Sequence, residues 1–325
     1  MLESQRILII RQGGIGDILF TLPVTYMLKD TFPNCRLTFL TKKAFVPLLE
    51  GFPAIDDIIA IDSDAFNSRS FKKICQNTIS LFRKIRRERY HLVVDLHGIE
   101  KTALITGLTG AEKRWGIIRK KFSRKFYTVS QSIPEDLHRI DLNLLLLEKG
   151  GLQKLPIKNS FILPAANFQK AQALWNEWGL SQTQPTLFIQ PFTNFQRKNW
   201  PLEHYYAVAE FCKTHNIQVV FGGGPADREN LHQVALDFPV AAGRADFLTT
   251  AGLMKLSTLV LGGDTGMLHL AVALGKKVLM LMDGTESRKF YPYQHPEWAL
   301  IPENSFRISD LSTERVIQLT NNMLE

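Results

Sequence analysis

The feature that most constrains this fold is a repeated pattern of short, nearly all-apolar runs, each followed by a glycine-rich loop and then a helical pattern. The pattern opens at Arg6–Ile10 and starts again at residues 187–189, in the second half of the chain. Alternating strands and helices are typical of parallel α/β sheets, and strands that are covered on both faces are apolar throughout. The sequence therefore predicts an α/β protein with two Rossmann-like domains.

The predicted elements form two series joined by a short linker. The first series is expected to hold a helix over about residues 17–29 and strands at 6–10, 36–40 and 90–95. The second is expected to hold helices at 267–274 and about 313–324 and strands at 187–189, 218–221, 259–261 and 277–282. A proline-bounded linker at 154–164 predicts an N-terminal domain of residues 1–160 and a C-terminal domain of residues 161–325. The last helix is a candidate for packing back on the N-terminal domain.

The composition is typical of a soluble globular protein, because 45% of the 325 residues are apolar and 22% are charged. The apolar runs are shorter than the ~20 residues that a membrane helix needs, and the first residues lack the core of a secretory signal. The cysteines are odd in number and far apart, at Cys35, Cys75 and Cys212. This spacing predicts neither a disulfide framework nor a zinc site, and it favours a reduced, cytoplasmic compartment.

Positive charge is concentrated in the first half of the chain. Residues 1–160 hold 26 Lys/Arg against 16 Asp/Glu, whereas residues 161–325 hold 13 against 15. The excess is densest at 83–89 and 113–125, and it indicates an anionic partner such as an acidic substrate, a membrane surface or nucleic acid. Nucleic acid is disfavoured because no nucleic-acid-binding motif is found. The alternative is a solvated helix face next to a basic loop.

The first glycine-rich loop, residues 12–17, places the carboxylate of Asp17 at the start of a helix. It is not a dinucleotide fingerprint, because Leu19 stands where the third glycine would be, and it lacks the Gly-Lys-Ser/Thr of a P-loop. Asp17 is either a general base or an N-cap that binds the first N–H groups of the helix.

The loop at residues 263–269 has the features of an anion site. Thr265 and Gly266 begin a helix, whose first N–H groups and positive dipole end favour phosphate, and His269 lies one turn further on. The alternatives are a capping role for Asp264 and a core position for His269, with its hydrogen bond satisfied.

Two further loops of the second half follow predicted strands. The first supplies Thr193, Asn194 and Lys198, side chains suited to a diphosphate, although an ordinary exposed loop is the alternative. The second contains Gly222–Gly224, against which a flat base can lie, followed by Asp227 and Glu229, either of which can accept from ribose hydroxyls. This division predicts that the second domain binds a nucleotide donor and the first an acceptor.

The order of these segments resembles that of the ADP-heptose:lipopolysaccharide heptosyltransferases, an inverting glycosyltransferase family. The resemblance covers nearly the whole chain and rests on residues 7–23, 95–98, 193–201, 223–229 and 264–271. It implies the GT-B fold, in which two Rossmann-like domains face each other across a cleft. It also implies transfer of heptose from ADP-L-glycero-D-manno-heptose to the inner core of lipopolysaccharide, by a single inverting displacement.

The resemblance also implies the roles of individual residues. Asp17 is expected to be the base and Lys198 to assist catalysis. The donor is expected to contact Thr193, Asn194, Lys198, Glu229, Asp264, Thr265, Gly266 and His269. The acceptor, Kdo-lipid A or a heptosylated core, is expected to contact Gly14, Lys120, Lys121 and Arg124. Neither a metal nor a cofactor is expected, and the enzyme is expected at the cytoplasmic face of the inner membrane.

The chain departs from the family pattern at two places. Gly13 and Ile15 stand where Ser and Met are frequent, and the segment at 282–285 retains only the final Thr285 of the usual Phe-Gly-Pro-Thr. Asp283 adds a carboxylate there, which leaves the sugar or nucleotide preference open. A transferase of the same family with another sugar donor or a glycoprotein acceptor is the second hypothesis. A non-catalytic scaffold is a third class, which the joint presence of Asp17, Lys198, Asp264 and His269 disfavours.

Overall fold

The computed structural model describes residues 5–62, 71–285, 287–303 and 305–325, with side chains left undescribed at 71–78. The chain forms two compact units, which end and begin at Asn159 and Ser160. This boundary falls inside the linker predicted at 154–164. Each unit contains one parallel β-sheet flanked by helices, as the strand pattern predicts.

The first unit contains a six-stranded parallel sheet with the order β3-β2-β1-β4-β5-β6. The strands are β1 (Arg6–Ile10), β2 (Arg36–Lys42), β3 (Asp57–Ile61), β4 (Leu92–Asp95), β5 (Lys113–Ile118) and β6 (Val129–Ser132). The helices are α1 (Ile15–Leu19), α2 (Leu22–Thr31), α3 (Phe71–Arg87), α4 (Glu100–Leu108) and α5 (Arg139–Lys149). The central strand β1 is buried from Ile7 to Ile10, which explains its all-apolar sequence.

The helix predicted over about residues 17–29 is wrong in its extent. Two helices, α1 and α2, occupy this stretch, and they are separated at Phe20 and Thr21. Pro23 lies in the first turn of α2 and has no N–H to donate to the carbonyl of Leu19. A continuous helix would lose this bond and would place the proline ring against the preceding turn, so the chain starts a new helix instead.

The second unit contains a five-stranded parallel sheet with the order β8-β7-β9-β10-β11. The strands are β7 (Thr186–Gln190), β8 (Gln218–Phe221), β9 (Leu259–Gly263), β10 (Lys277–Leu281) and β11 (Ala299–Leu300). The helices are α6 (Ala165–Glu177), α7 (Leu202–Thr214), α8 (Phe247–Leu256), α9 (Gly266–Ala273), α10 (Ser287–Phe290) and α11 (Thr313–Leu324). Helix α11 packs on α7, β9 and β10 of its own unit, where it buries Val316 and Thr320.

The strand order reverses beside the first strand of each sheet. In the first unit β1 lies between β2 and β4, and in the second unit β7 lies between β8 and β9. Loops that leave the carboxyl ends of strands diverge at such a point, and the crevice between them is where open α/β sheets bind ligands. The predicted loops 12–17, 190–198 and 263–269 all leave the strands that flank these two points.

Two remaining observations concern the chain as a whole. Cys35 and Cys212 are buried free thiols, and the side chain of Cys75 lies outside the described part. Within the described residues, no helix combines the length and the apolar character needed to cross a membrane.

Candidate functional site

The carboxylate of Asp17 is held by the guanidinium of Arg11 at the switch point of the first unit. Asp17 lies inside α1, whose N-cap is Gly14, so the N-cap interpretation of Asp17 is wrong. Its Oδ1 accepts from Nη2 of Arg11, which follows β1 directly and is only 4% exposed. Nη1 of Arg11 donates to the carbonyl of Leu96 at the end of β4, so one buried guanidinium joins both loops.

Asp17 is ionised near neutral pH. Burial raises the pKa of this carboxyl. The positive charge and hydrogen bond of Arg11, with smaller contributions from Arg119 and His97, lower the pKa by more than burial raises it. The net pKa lies below the usual value of 3.8. A third of the Asp17 side chain stays exposed, so the carboxylate is open to a bound molecule.

Asp95 fixes the loop that carries His97. Its buried carboxyl accepts from the backbone N–H groups of His97 and Gly98 at 2.9 Å and from the Tyr127 hydroxyl at 2.8 Å. Burial raises the pKa of Asp95 despite these donors. Gly98 has a φ of +72° and lies against the Ile117 carbonyl, where a Cβ would collide. The loop therefore has one conformation, set by a buried polar network.

His97 is a neutral imidazole near Asp17. Burial, with repulsion from Arg11 and Arg119, lowers its pKa to about 4. Its Nδ1 is buried without a hydrogen-bond partner, and its carbonyl accepts from Nε of Arg119 at 2.8 Å. Arg11, His97 and Arg119 surround the predicted base, and none of them was predicted as a site residue.

The second unit brings Lys198, Asp264 and His269 together at its own switch point. Nζ of Lys198 donates to Oδ2 of Asp264 at 2.5 Å, and Nε2 of His269 lies 3.0 Å from Oδ1. All three side chains are at most 12% exposed. Burial raises the pKa of Asp264, but the hydrogen bond and charge of His269, followed by those of Lys198, lower it below the usual value. The cluster is therefore a buried, charge-paired network.

The start of α9 lies beside this cluster. Thr265 is the N-cap residue, and its side chain makes no capping hydrogen bond, so it does not occupy the first N–H groups of the helix. The capping interpretation of Asp264 is wrong, since its carboxylate pairs with Lys198 and His269. The core interpretation of His269 is correct in its burial and its satisfied hydrogen bond, and the partner is the carboxylate of the candidate site.

Close packing sets the position of the loop that follows β7. A Cβ on Gly263, at the end of β9, would collide with the Lys198 carbonyl and the methyl group of Thr193. The Thr193 hydroxyl donates to the Phe195 carbonyl at 2.9 Å, and its N–H donates to Oδ1 of Asn199 at 2.8 Å. Asn194 is exposed in the same loop.

A second ion pair lies next to the first. Arg197 precedes Lys198, and its Nη1 donates to Oδ2 of Asp283, a carboxylate that is only 7% exposed. The other oxygen of Asp283 accepts from the Thr285 hydroxyl at 2.6 Å. Leu281 pairs with Gly263, so Asp264 and Asp283 leave neighbouring strands at the same edge of the sheet. Two consecutive cations thus bind two neighbouring carboxylates.

The remaining predicted residues are exposed, except for the half-buried Asp227. Asp227 accepts from the N–H of Gly224 at 2.8 Å and so closes the turn after β8, whereas Glu229 is exposed on that turn. The predicted acceptor residues Gly14, Lys120, Lys121 and Arg124 are also exposed. Within the described residues, no group of three His, Cys, Asp or Glu side chains has the arrangement of a metal site, and the independence from metal stays a prediction.

Comparisons with known proteins identify the family of the chain. The family model of Glycosyltransferase family 9 (heptosyltransferase) matches residues 78–307. Lipopolysaccharide heptosyltransferase 3 of Escherichia coli is 24% identical over 293 residues, which cover 86% of this chain and 84% of the relative. Lipopolysaccharide heptosyltransferase 1 of E. coli K12 is 21% identical over 290 residues, covering 86% and 88%.

Solved structures show the same fold. A family 9 glycosyl transferase of Veillonella parvula superposes with a TM-score of 0.87 at 21% identity, covering 99% of this chain and 98% of the other. The E. coli heptosyltransferase WaaC, solved with ADP, has a TM-score of 0.80 at 19% identity, with coverages of 98% and 100%. The two parallel α/β units are those of GT-B heptosyltransferases. The chain belongs to glycosyltransferase family 9, the heptosyltransferase family.

Proposed function

We propose that this protein transfers heptose from ADP-heptose to an anionic lipid acceptor of the lipopolysaccharide inner core, with inversion at the anomeric carbon. The observation that carries the proposal is that each unit holds one of the two required groups at its switch point. The first unit holds an ionised carboxylate, Asp17, and the second holds a largely buried cation, Lys198, paired with the carboxylate that precedes α9. A base and an anion site are the two groups that such a displacement needs.

The donor is proposed to bind the second unit by its diphosphate. The cation of Lys198 and the first N–H groups of α9, with Thr265 and Gly266, are suited to phosphate oxygens. When the donor binds, the carboxylate of Asp264 is proposed to accept hydrogen bonds from the heptose hydroxyls in place of part of its contact with Lys198. Glu229 is proposed to contact the ribose. Arg197, held by Asp283, supplies a second cation for the diphosphate. The ADP and the ADP-2-deoxy-2-fluoro heptose of the WaaC structures support a donor of this class.

The chemistry is proposed to run in one step. An acceptor hydroxyl attacks the anomeric carbon while its proton passes to the carboxylate of Asp17. The bond to the diphosphate oxygen breaks, and ADP leaves with the electron pair, its growing charge met by Lys198 and the helix N–H groups. Fixed donors of this kind are expected to give the largest part of the rate enhancement, because they stabilise the charge that develops in the transition state. The base is expected to increase the rate by about 10²–10⁴-fold.

The test is a transfer assay with ADP-heptose and defined acceptors, with the product identified by mass. We expect a mass increase of one heptose on Kdo-lipid A or a heptosylated core, and release of ADP. Asp283 departs from the family pattern and favours a second candidate, a transferase of the same family with another donor or a protein acceptor. Other nucleotide sugars and protein acceptors are therefore assayed in parallel. A wild-type protein that binds ADP but turns over none of these substrates would instead be a scaffold.

A further inference from the structure

The basic stretch at residues 113–125 divides into two parts with different surroundings. The first part ends with Arg119, whose Nε and N–H donate to the carbonyls of His97 and Gly98, so that it faces the Asp17 region. The second part is a 3₁₀ turn, Lys121–Phe126, which packs on the helix α4.

The contact between this turn and α4 is built on a glycine and a phenylalanine ring. A Cβ on Gly107 would collide with the ring of Phe126, so the ring lies against the backbone of α4. Phe122 packs edge-on against Phe126, with ring centroids 5.7 Å apart. The turn is therefore a fixed extension of the helix surface.

Apolar side chains on this surface are exposed to solvent. Leu104 and Leu108 are 45% and 40% exposed, and they lie one turn apart on the same face of α4 as Lys101. Phe122 is 55% exposed on the adjoining turn. We name this set, with Phe126, the α4 face. Exposed apolar side chains on two elements that pack together indicate an interaction surface.

The charge around the α4 face selects the occupant. Residues 101–108 and 119–126 together hold six Lys/Arg and no Asp or Glu. Nζ of Lys125 lies 3.6 Å from the centroid of the Phe122 ring, so cation and aromatic ring form one surface. Lysines that surround exposed leucine and phenylalanine match an anionic bilayer, where apolar groups enter the acyl boundary and the cations contact lipid phosphates.

We propose that the α4 face docks the first unit on an anionic lipid bilayer, with Leu104, Leu108 and Phe122 inserted. The basic turn, with Lys121 and Arg124, then contacts lipid phosphates of the bilayer rather than the sugar that reacts. Arg119 is not part of this membrane contact, because it donates to the loop of His97 and lies near Asp17. The inference deepens the proposed function, on which its biological purpose rests, because a lipid acceptor is presented at a membrane.

The experiment measures binding to vesicles by flotation, with no donor or acceptor present. The vesicles contain either phosphatidylcholine alone or phosphatidylcholine with about one third phosphatidylglycerol. We expect the wild type to bind the anionic vesicles at least tenfold more tightly than the vesicles of phosphatidylcholine alone, because each lysine near an anionic surface adds to the attraction. The variant Leu104→Ser/Phe122→Ser is expected to lose most of this binding, and Lys121→Gln/Lys125→Gln to lose its dependence on the anionic lipid.

The matched control is Leu236→Ser, because Leu236 is 78% exposed in the second unit and is followed by the acidic Asp237. This control should bind vesicles as the wild type does, and all variants should keep the wild-type melting temperature and affinity for ADP. The inference is overturned if the wild type does not bind anionic vesicles or if the α4-face variants bind them as the wild type does. It is also overturned if these variants keep vesicle binding and differ from the wild type only in oligomeric state, measured by size-exclusion chromatography. Vesicle binding without any transfer would contradict the proposed function alone, and transfer without vesicle binding would contradict this inference alone.

Discussion

The carboxyl group of Asp17 occupies the space that a side chain on Gly13 would need. A Cβ built on Gly13 collides with the Cβ and the carboxyl atoms of Asp17. The absence of a side chain at this position lets the carboxylate fold back over the loop to reach Arg11. The departure of Gly13 from the usual serine thus has a structural consequence at the predicted base.

Replacing Gly13 by alanine is expected to push the Asp17 carboxylate off Arg11. Because a placed base contributes about 10²–10⁴-fold, we expect kcat to fall at least about tenfold with little change in ADP affinity. The comparison for folding and titration is Gly14→Ala, where a Cβ meets no heavy atom within 4 Å. Because Gly14 is expected to contact the acceptor, the acceptor KM of this variant is not used as the control. That variant should keep the wild-type melting temperature and pH profile. A kcat of Gly13→Ala equal to that of the wild type would show that catalysis does not depend on this position of the carboxylate.

Arg11 is expected to set the protonation of Asp17. Burial raises the pKa of Asp17, but the charge and hydrogen bond of Arg11, together with Arg119 and His97, bring it below its usual value. In Arg11→Gln burial dominates, so the pKa should rise and the acid limb of kcat/KM should move to higher pH. Arg6→Gln is the control, because Arg6 lies at the start of β1, the strand that Arg11 follows, and pairs with Glu88 instead. An acid limb that stays in place in Arg11→Gln would contradict this assignment.

His97 is expected to make the folded protein less stable in mild acid. Its pKa is about 4 in the folded protein against 6.5 normally, so the unfolded chain binds more protons between these values. Stability is complete above pH 6.5 and falls as the pH drops toward 4, by about 2 kcal/mol at pH 5. His97→Gln should therefore show a smaller difference in melting temperature between pH 7 and pH 5. An equal difference in both proteins would show that His97 does not titrate in this way.

Arg197 is expected to contribute to donor affinity. A charged hydrogen bond is worth about 1.5–3 kcal/mol, so Arg197→Gln should weaken ADP binding about tenfold by calorimetry. Asp283→Asn should weaken it less, because the guanidinium is released but not removed. The control Arg36→Gln removes an arginine with the same exposure, 57%, that pairs with Asp57 at the amino end of β2. Equal affinities for ADP in all four proteins would exclude Arg197 from the donor site.

The central strands and the chemical loops were predictable from sequence, because fully buried strands are apolar throughout and glycine-rich loops follow them. Strands β3, β5, β6 and β11 were not predicted, and each of them is partly exposed. The division of the first helix needed attention to Pro23, whose missing N–H ends the preceding helix. The partners of the predicted residues were not predictable in the same way. Lys198 and Asp264 are 66 residues apart, and only the adjacency of β7 and β9 brings them together.

The residues that sequence reasoning missed share one signal. Arg11 follows β1 and the loop with His97 follows β4, each just beyond the carboxyl end of a parallel strand. Asp283, which was noted from the sequence as an added carboxylate, follows β10 in the same way. Polar residues at those positions are candidates in any open α/β sheet. The sequence pattern does not give the order of the strands in the sheet. That order decides which of these loops lie next to each other.

The most direct test of the account is the Asp17→Asn variant, assayed for ADP binding and for heptose transfer with the same preparation. Asparagine keeps the size of the side chain but cannot accept the proton of the acceptor hydroxyl. We predict an ADP dissociation constant within about twofold of wild type and a transfer rate lower by about 10²–10⁴-fold. A transfer rate equal to that of the wild type would contradict the role of Asp17 as the base and, with it, the proposed mechanism.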